Sequence, residues 1–213
     1  MEARVEAHVE AHVTWIRTIP FGEATGRLRK LYERIRGPDG QLDNIMMAHS
    51  LRPHSMEGHM ALYKNVLHHS DNQLPKWFLE ALGVYVSMLN DCEYCVEHHA
   101  AGLRRLLGDG ARADEICSAL EREDFSGAFS AAESCALAYA RCLTREPAAV
   151  SETMLEDLRQ HGYDDGMILE INQVCAYFAY ANRTVLGLGC TADGEALGLS
   201  PRATDDPGDW SHF

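Results

Sequence analysis

Apolar residues recur along most of the chain at intervals of three and four positions, which is the spacing that places them on one face of an α-helix. The first clear example is the stretch 23–36, in which Leu28, Leu31, Tyr32 and Ile35 follow this spacing before the turn sequence at 37–40. No stretch shows the strict alternation of apolar and polar residues that is typical of a half-buried strand. The pattern therefore predicts an all-α fold.

The predicted helices are separated by glycine and proline residues, which end helices or open them at the first turn. They cover residues 23–36, 43–50, 53–69, 74–89, 92–107, 112–120, 131–144, 151–161 and 164–188. We group them into one compact multi-helix domain at 23–190. An irregular arm at 1–22 precedes this domain, and a tail at 191–213, rich in Gly, Pro and Asp, follows it. We expect the tail to fray or to pack on a partner subunit.

Two of the apolar helices resemble each other. The triplet Leu79-Glu80-Ala81 is similar to Leu169-Glu170-Ile171, and Asn182 then falls where Cys92 falls. Either the chain is a diverged duplication of one helical unit, or the similarity arose by chance.

Composition narrows the class of protein. The formal net charge of −13 disfavours nucleic acid as a partner, because phosphate backbones are bound by clustered Lys and Arg. No stretch approaches the roughly 18 to 20 apolar residues of a membrane span, so no membrane association is predicted. The first residues lack the basic region and apolar run of a secretory signal, and we therefore expect a cytoplasmic protein.

The chain has seven cysteines, an odd number, and most lie within helical patterns. This distribution argues against a structural disulfide network and for reduced thiols. Cysteines among apolar or small neighbours usually act as small buried hydrophobes, and we interpret Cys117, Cys135, Cys142 and Cys175 in this way. The sequence does not decide the role of Cys190.

The motif with candidate reactive residues is Cys92-Glu93-Tyr94-Cys95. Asn90, followed three residues later by Glu93, has the form of a capping box, which would place both cysteines in the first two turns of a helix. The positive end of a helix lowers a thiol pKa from its reference value of about 8.5. The spacing therefore suits redox chemistry.

His99 lies four residues after Cys95 and so shares its helix face. A neutral imidazole could accept the thiol proton, and a carboxylate on its other nitrogen would stabilise the resulting cation. Glu80 is the candidate for that carboxylate, because it is a lone acid in an apolar run and a buried carboxylate needs a partner. His98 points about 100° away from His99, and we expect it at the surface or in an interface.

A CxxC pair also occurs in zinc sites, which need four ligands at about 2.0 to 2.3 Å. Cys92, Cys95, His98 and His99 cannot easily close a tetrahedron from one helical turn. Another segment would have to contribute, such as one of the histidines at positions 49, 54, 59, 68 and 69. We therefore predict no metal site and no cofactor.

The stretch from Glu80 to His99 resembles the alkylhydroperoxidase D-like, carboxymuconolactone decarboxylase superfamily, especially its peroxidase-related branch. The similarity extends to the sequences at 19–20, 31–35, 143–147 and 177–183. The resemblance implies an all-helical fold that usually forms homo-oligomers.

The resemblance also implies a dithiol centre that reduces peroxides. In it Glu80 would hold His99, which with water assists Cys95; Cys95 would become the sulfenic acid, and Cys92 would resolve it into a disulfide. The helix dipole instead favours Cys92 as the more acidic thiol, but the spacing to His99 favours Cys95, and we follow the family. A thiol protein or small thiol would restore the pair.

One departure from the family concerns Tyr94. The alkylhydroperoxidase proper often has a histidine just before the second cysteine, whereas this chain has a phenol that does not titrate near pH 7. Tyr94 is either a hydrogen-bond donor to peroxide or a packing aromatic.

Three functions remain open from the sequence. The first is a peroxidase for hydrogen peroxide or organic hydroperoxides. The second is a thiol–disulfide exchange or redox-sensing module, in which peroxide is not the main oxidant. The third is a lyase like the carboxymuconolactone decarboxylases, which generally lack the paired cysteines.

Overall fold

The structure, a computed structural model, describes residues 13–206 and 208–212; the first twelve residues of the predicted arm lie outside this range. Its helices are α1 (Gly26–Ile35), α2 (Asn44–Ala48), α3 (Pro53–Leu67), α4 (Lys76–Leu89), α5 (Glu93–Leu107), α6 (Gly110–Arg122), α7 (Ala131–Arg145), α8 (Glu152–Gln160) and α9 (Asp165–Leu188). Short 3-10 turns cover Phe21–Glu23 and Pro147–Ala149. The described residues contain no strand, and the predicted all-α fold is confirmed.

Helix α4 forms the centre of the molecule, with α5, α6, α7 and α9 packed around it. Every residue from Phe78 to Ser87 is buried. Such a helix is apolar on all sides, so the single carboxylate of Glu80 lies within the core. None of the helices in the described part of the chain is long and apolar enough to cross a membrane.

The turn between α4 and α5 differs from the predicted capping box. Asn90 is the residue that ends α4, and Cys92 is the N-cap of α5. The chain reverses through Asp91 at a φ of 55°, and the Cys92 N–H donates to the carbonyl of Ser87 at 2.9 Å. The prediction was wrong because a tight inter-helix turn uses Asn90 in the preceding helix. Both cysteines still lie at the N-terminal end of α5.

The segment after α9 packs on the chain's own helices, although the sequence suggested fraying or a partner subunit. The side chain of Asn44 donates to the carbonyl of Thr191 at 2.7 Å, and Trp210 is only 5% exposed beside Tyr63. The amine of Lys64 donates to the hydroxyl of Thr204 at 3.1 Å. These contacts hold the C-terminal segment, residues 191–206 and 208–212, across α3 and α5.

Candidate active site

The two cysteines of the CxxC motif lie in direct contact. Their sulfur atoms are 2.7 Å apart, and both are free thiols with exposed fractions of 0% for Cys92 and 3% for Cys95. A disulfide bond has a length of about 2.05 Å, so a small movement suffices to close it. The geometry therefore suits a pair that cycles between dithiol and disulfide.

The two thiols differ in acidity. The pKa of Cys92 is lowered, chiefly because of its hydrogen bond with Cys95, and in spite of burial. The pKa of Cys95 is raised, because its proton is shared with Cys92 and because it is buried. The pair therefore loses one proton readily and holds the second. Cys92 is thus the more acidic thiol, and Cys95 keeps its proton until a base takes it.

Asn182 of α9 is a site residue that the sequence analysis did not include. It is fully buried, and its amide donates to Ser87 Oγ at 3.0 Å and accepts from Asn90 at 3.0 Å. Its hydrogen bonding lowers the pKa of both thiols. The sequence signal was its place in the repeated pattern, at the position that corresponds to Cys92.

Glu80 and His99 form the pair that the sequence predicted. Nδ1 of His99 lies 2.6 Å from Oε2 of Glu80, which is 2% exposed. Burial raises the pKa of Glu80, but the contacts with His99 outweigh it and leave the pKa below its ordinary value. The carboxylate is therefore charged, and it directs the second nitrogen of His99 away from itself. Phe178 packs edge-on against His99 with ring centroids 4.5 Å apart.

A second histidine, His68, lies on the other side of Glu80. Its Nε2 is 3.8 Å from Oε1 of Glu80, and burial lowers its pKa to about 4. It is therefore neutral near pH 7, and the charge of Glu80 is directed mainly at His99. The sequence indicates His68 only as a possible zinc ligand, because its contact with Glu80 of α4 depends on how α3 packs against α4.

Cys95, His99 and Glu80 lie on the wall of one small cavity of about 50 Å³. The wall is completed by residues from the segment before α2, from α2, α3, α5 and α9, and from the C-terminal segment: Asp43, Ile45, Met46, His59, Tyr63, Tyr94, His98, Gly102, Tyr177, Ala181, Gly198, Leu199 and Ser200. A volume of this size accepts a few molecules as small as water. Cys92 is not part of this wall.

Cys92 instead lines an open cleft. The cleft measures about 1000 Å³ and is formed by α4, α5, α6 and α7. Met88, Leu89 and Val96 supply its apolar wall, and Arg141 and Arg145 lie among its charged residues. Cys95 thus lines the small cavity, whereas Cys92 lines the large open cleft.

His98 lies in the cavity wall, and its expected position at the surface was wrong. Its side chain is 12% exposed, and Nε2 lies 2.5 Å from a carboxylate oxygen of Glu195. At about 100° per residue, Cys95 points between His98 and His99, so an imidazole lies on either side of the sulfur. The expectation failed because the C-terminal segment covers this face of α5, which the helix alone would leave open.

Tyr94 belongs to the same group of contacts. Its hydroxyl donates toward Glu195, at 3.2 and 3.1 Å from the two carboxylate oxygens, and accepts from the Ile45 N–H at 3.2 Å. Its pKa lies well above the ordinary value because of burial and of the charge of Glu195. The only hydroxyl proton is therefore committed to Glu195.

Among the described residues, no group of three His, Cys, Asp or Glu side chains is placed to hold a metal ion.

Comparison with known proteins identifies the fold. The model of the carboxymuconolactone decarboxylase family matches residues 53–142, from α3 into α7. A peroxidase-related protein from Silicibacter sp. TM1040 is 25% identical with a TM-score of 0.73, over 84% of this chain and 92% of that chain. A peroxidase-related protein from Ralstonia eutropha JMP134, with an alkylhydroperoxidase AhpD core, is 22% identical with a TM-score of 0.73 over the same shares.

A third solved structure of this fold has a different activity. The debrominase Bmp8 is 19% identical with a TM-score of 0.68, over 87% of this chain and 94% of that chain. A cysteine-to-alanine variant of the same debrominase has been solved in complex with 2,3,4-tribromopyrrole. A search of curated proteins finds no significant match. The fold is thus shared by proteins that are not all peroxidase-related.

Proposed function

Since the chain belongs to the carboxymuconolactone decarboxylase and AhpD-like superfamily, we propose that it is a thiol-dependent peroxidase that works through the Cys92–Cys95 dithiol. The observation that carries the proposal is the position of Cys95. Its sulfur lies in the wall of a small cavity together with the His99–Glu80 pair, and the sulfur of Cys92 lies 2.7 Å away. Nucleophile, base and resolving thiol are therefore assembled at one point.

The reaction has three steps. The Cys95 thiolate attacks a peroxide oxygen, an S–O bond forms as the O–O bond breaks, and the products are a sulfenic acid and water or an alcohol. The Cys92 thiolate then attacks the Cys95 sulfur, an S–S bond forms as the S–O bond breaks, and the departing hydroxide takes a proton from solvent to become water. A thiol reductant finally reduces the disulfide by exchange. His99 takes the proton of the attacking thiol, and Glu80 stabilises the imidazolium that forms.

The volume of the cavity favours hydrogen peroxide over bulky hydroperoxides. About 50 Å³ has room for a few molecules of the size of water. Bulky organic hydroperoxides fit this space less well. The same limit disfavours a bromopyrrole ring as substrate.

The open cleft gives the reductant a route to the sulfur of Cys92. Cys92 lies at its wall, and attack of a thiol on the Cys92 sulfur would release Cys95 on the cavity side. Its mixed apolar and charged lining fits a thiol protein better than an unbound peroxide.

The seven cysteines are all free thiols, which fits a reducing cytoplasm. Exposed apolar side chains such as Leu169 and Leu186 on α9 fit a homo-oligomer.

Two alternatives are less well supported. A general thiol–disulfide exchange module does not require the small cavity that Cys95 shares with the His99–Glu80 pair. A decarboxylating lyase gives no role to two sulfurs in contact. Neither alternative uses a cavity as small as this one.

The test is to trap the sulfenic acid with a dimedone-type probe after one equivalent of hydrogen peroxide, and to locate it by peptide mass spectrometry. We expect a Cys92–Cys95 disulfide in the unsubstituted protein, and label on Cys95 in Cys92→Ser. Cys117→Ser, at a thiol outside the site, is the matched control and should behave like the unsubstituted protein. Label on Cys92 in Cys95→Ser would reverse the two roles. Peroxide consumption that persists in Cys95→Ser would refute the proposal.

A further inference from the structure

The cavity carries two carboxylate–imidazole pairs. His99 is backed by Glu80 from α4, and His98 is backed by Glu195 from the C-terminal segment. The two histidines are adjacent on α5 and lie on either side of the direction of Cys95. The mechanism above uses only the first pair.

The carboxylate of the second pair, Glu195, is fixed by two further groups of the chain. Glu195 accepts from the hydroxyl of Tyr94 and from the backbone N–H of Asn44 at 2.5 Å, and its side chain is 3% exposed. The ring of Tyr94 packs on the ring of His98, with centroids 4.6 Å apart. A buried carboxylate that makes this many contacts holds its imidazole in one orientation.

Peroxide reduction needs an acid as well as a base. When the O–O bond breaks, the leaving oxygen becomes hydroxide or alkoxide, which are both strongly basic anions. A poor leaving group of this kind departs faster when a positioned acid protonates it, by about 10²-fold to 10⁴-fold. His99 accepts a proton in the same step and so cannot supply this one.

We propose that His98 is the general acid that protonates the leaving oxygen of the peroxide, and that Glu195 and Tyr94 are its positioning residues. This inference rests on the proposed peroxidase function. The Cys95 proton passes to His99, the S–O bond forms, the O–O bond breaks, and the leaving oxygen takes the proton of the His98 imidazolium. Water in the cavity then returns the proton from His99 to His98, so that thiol and peroxide give sulfenic acid and water or alcohol.

The charges around His98 keep it protonated. Burial alone lowers its pKa, but the contact with Glu195 and the nearby charges of Asp43 and Glu97 outweigh burial, and the pKa is raised. These charges come from the C-terminal segment, from the residue before α2 and from α5 itself. Asp43 also titrates near neutrality, because burial raises its pKa to about 6. A rate that depends on His98 therefore falls as the pH rises through the pKa of His98.

The experiment compares oxidants whose leaving groups differ in acidity. Hydrogen peroxide releases hydroxide, whereas peracetic acid releases a carboxylate whose conjugate acid has a pKa of about 4 and needs no proton. We expect His98→Gln to slow Cys95 oxidation by hydrogen peroxide by about 10²-fold, and oxidation by peracetic acid far less. Alkylation of Cys95 by iodoacetamide should keep its rate. His54→Gln, at an exposed histidine of α3, is the matched control and should change neither oxidation rate.

A second variant tests Glu195 and does not depend on the folding of His98→Gln. Glu195→Gln removes the charge that raises the pKa of His98. The rate of Cys95 oxidation by hydrogen peroxide should therefore begin its fall with rising pH at a lower pH, and we call this falling part of the pH profile the alkaline limb. A structural defect would lower the rate at every pH without moving the alkaline limb. Equal losses with both oxidants in His98→Gln, or an unmoved limb in Glu195→Gln, would overturn the role of His98 while leaving the peroxidase itself in place. If neither oxidant oxidises a thiol of the unsubstituted protein, both the peroxidase function and the role of His98 are wrong.

Discussion

Nδ1 of His99 lies 2.6 Å from Oε2 of Glu80, so a carboxylate in the middle of the core helix α4 holds a histidine of α5. A carboxylate that is 2% exposed and charged stabilises an imidazolium far more than a solvent-exposed one does. The reaction that depends on His99 should respond directly to the loss of this charge.

Glu80→Gln should lower the rate of Cys95 oxidation by hydrogen peroxide by about 10²-fold, because the neutral amide does not stabilise the His99 imidazolium. Stopped-flow kinetics with the purified protein would measure it. Glu170→Gln is the matched control at the similar position of α9. Glu170 accepts from the backbone N–H groups of Gln73 and Leu74 at 2.9 and 3.0 Å, so its loss should lower stability but not the rate. Equal rates in the two variants would contradict the role of Glu80.

Asn182→Ala should raise the pKa of the thiol pair, because the amide of Asn182 lowers the pKa of both sulfurs. The pH dependence of alkylation by iodoacetamide would report the change, and we expect alkylation to slow at neutral pH. Asn172→Ala is the control on the same helix, since the Asn172 amide donates to the hydroxyl of Tyr139 at 2.8 Å, away from the thiols. Each variant should lose about 1–3 kcal/mol of unfolding free energy, because a buried partner is left unpaired. Only Asn182→Ala should shift the alkylation profile.

His59 should make the protein less stable in acid. Burial lowers its pKa from 6.5 to about 3, since it lies among the rings of His49, Tyr177 and Tyr180. Below pH 6.5 the unfolded chain binds a proton that the folded protein does not, so the unfolding free energy falls as the pH falls, by up to about 1.4 kcal/mol per pH unit. Urea denaturation between pH 6 and pH 4 would measure this slope. The slope should be smaller in His59→Phe, and an unchanged slope would contradict the assignment.

Gly83→Ala should destabilise the packing of α4 against α9. A methyl group at Gly83 would overlap the ring of Phe178, which also packs against His99. Overpacking of this kind costs about 1–3 kcal/mol of unfolding free energy. Gly58→Ala is the matched control within α3, where a methyl group meets no atom within 4 Å and should stabilise the helix by up to about 1 kcal/mol. Thermal unfolding of the two variants should therefore shift in opposite directions.

Much of the site could be predicted from the sequence because its parts are local. The apolar spacing predicts the helices, and the bounds of α5 and α9 agree closely with the structure. The four-residue separation of Cys95 and His99 is set by helix geometry alone. Glu80 could be identified because a lone acid in an apolar helix must find a partner.

Only the tertiary structure decided the rest, and the reason is sequence distance. His98 enters the cavity because the C-terminal segment brings Glu195 onto α5, and neither residue shows this locally. Asn182 reaches the thiols because α9 crosses α4, and His68 reaches Glu80 because α3 packs beside it. Helical periodicity determines which side chains share a face within one helix. Which helix or segment covers that face depends on packing between distant parts of the chain, and the sequence pattern does not record it.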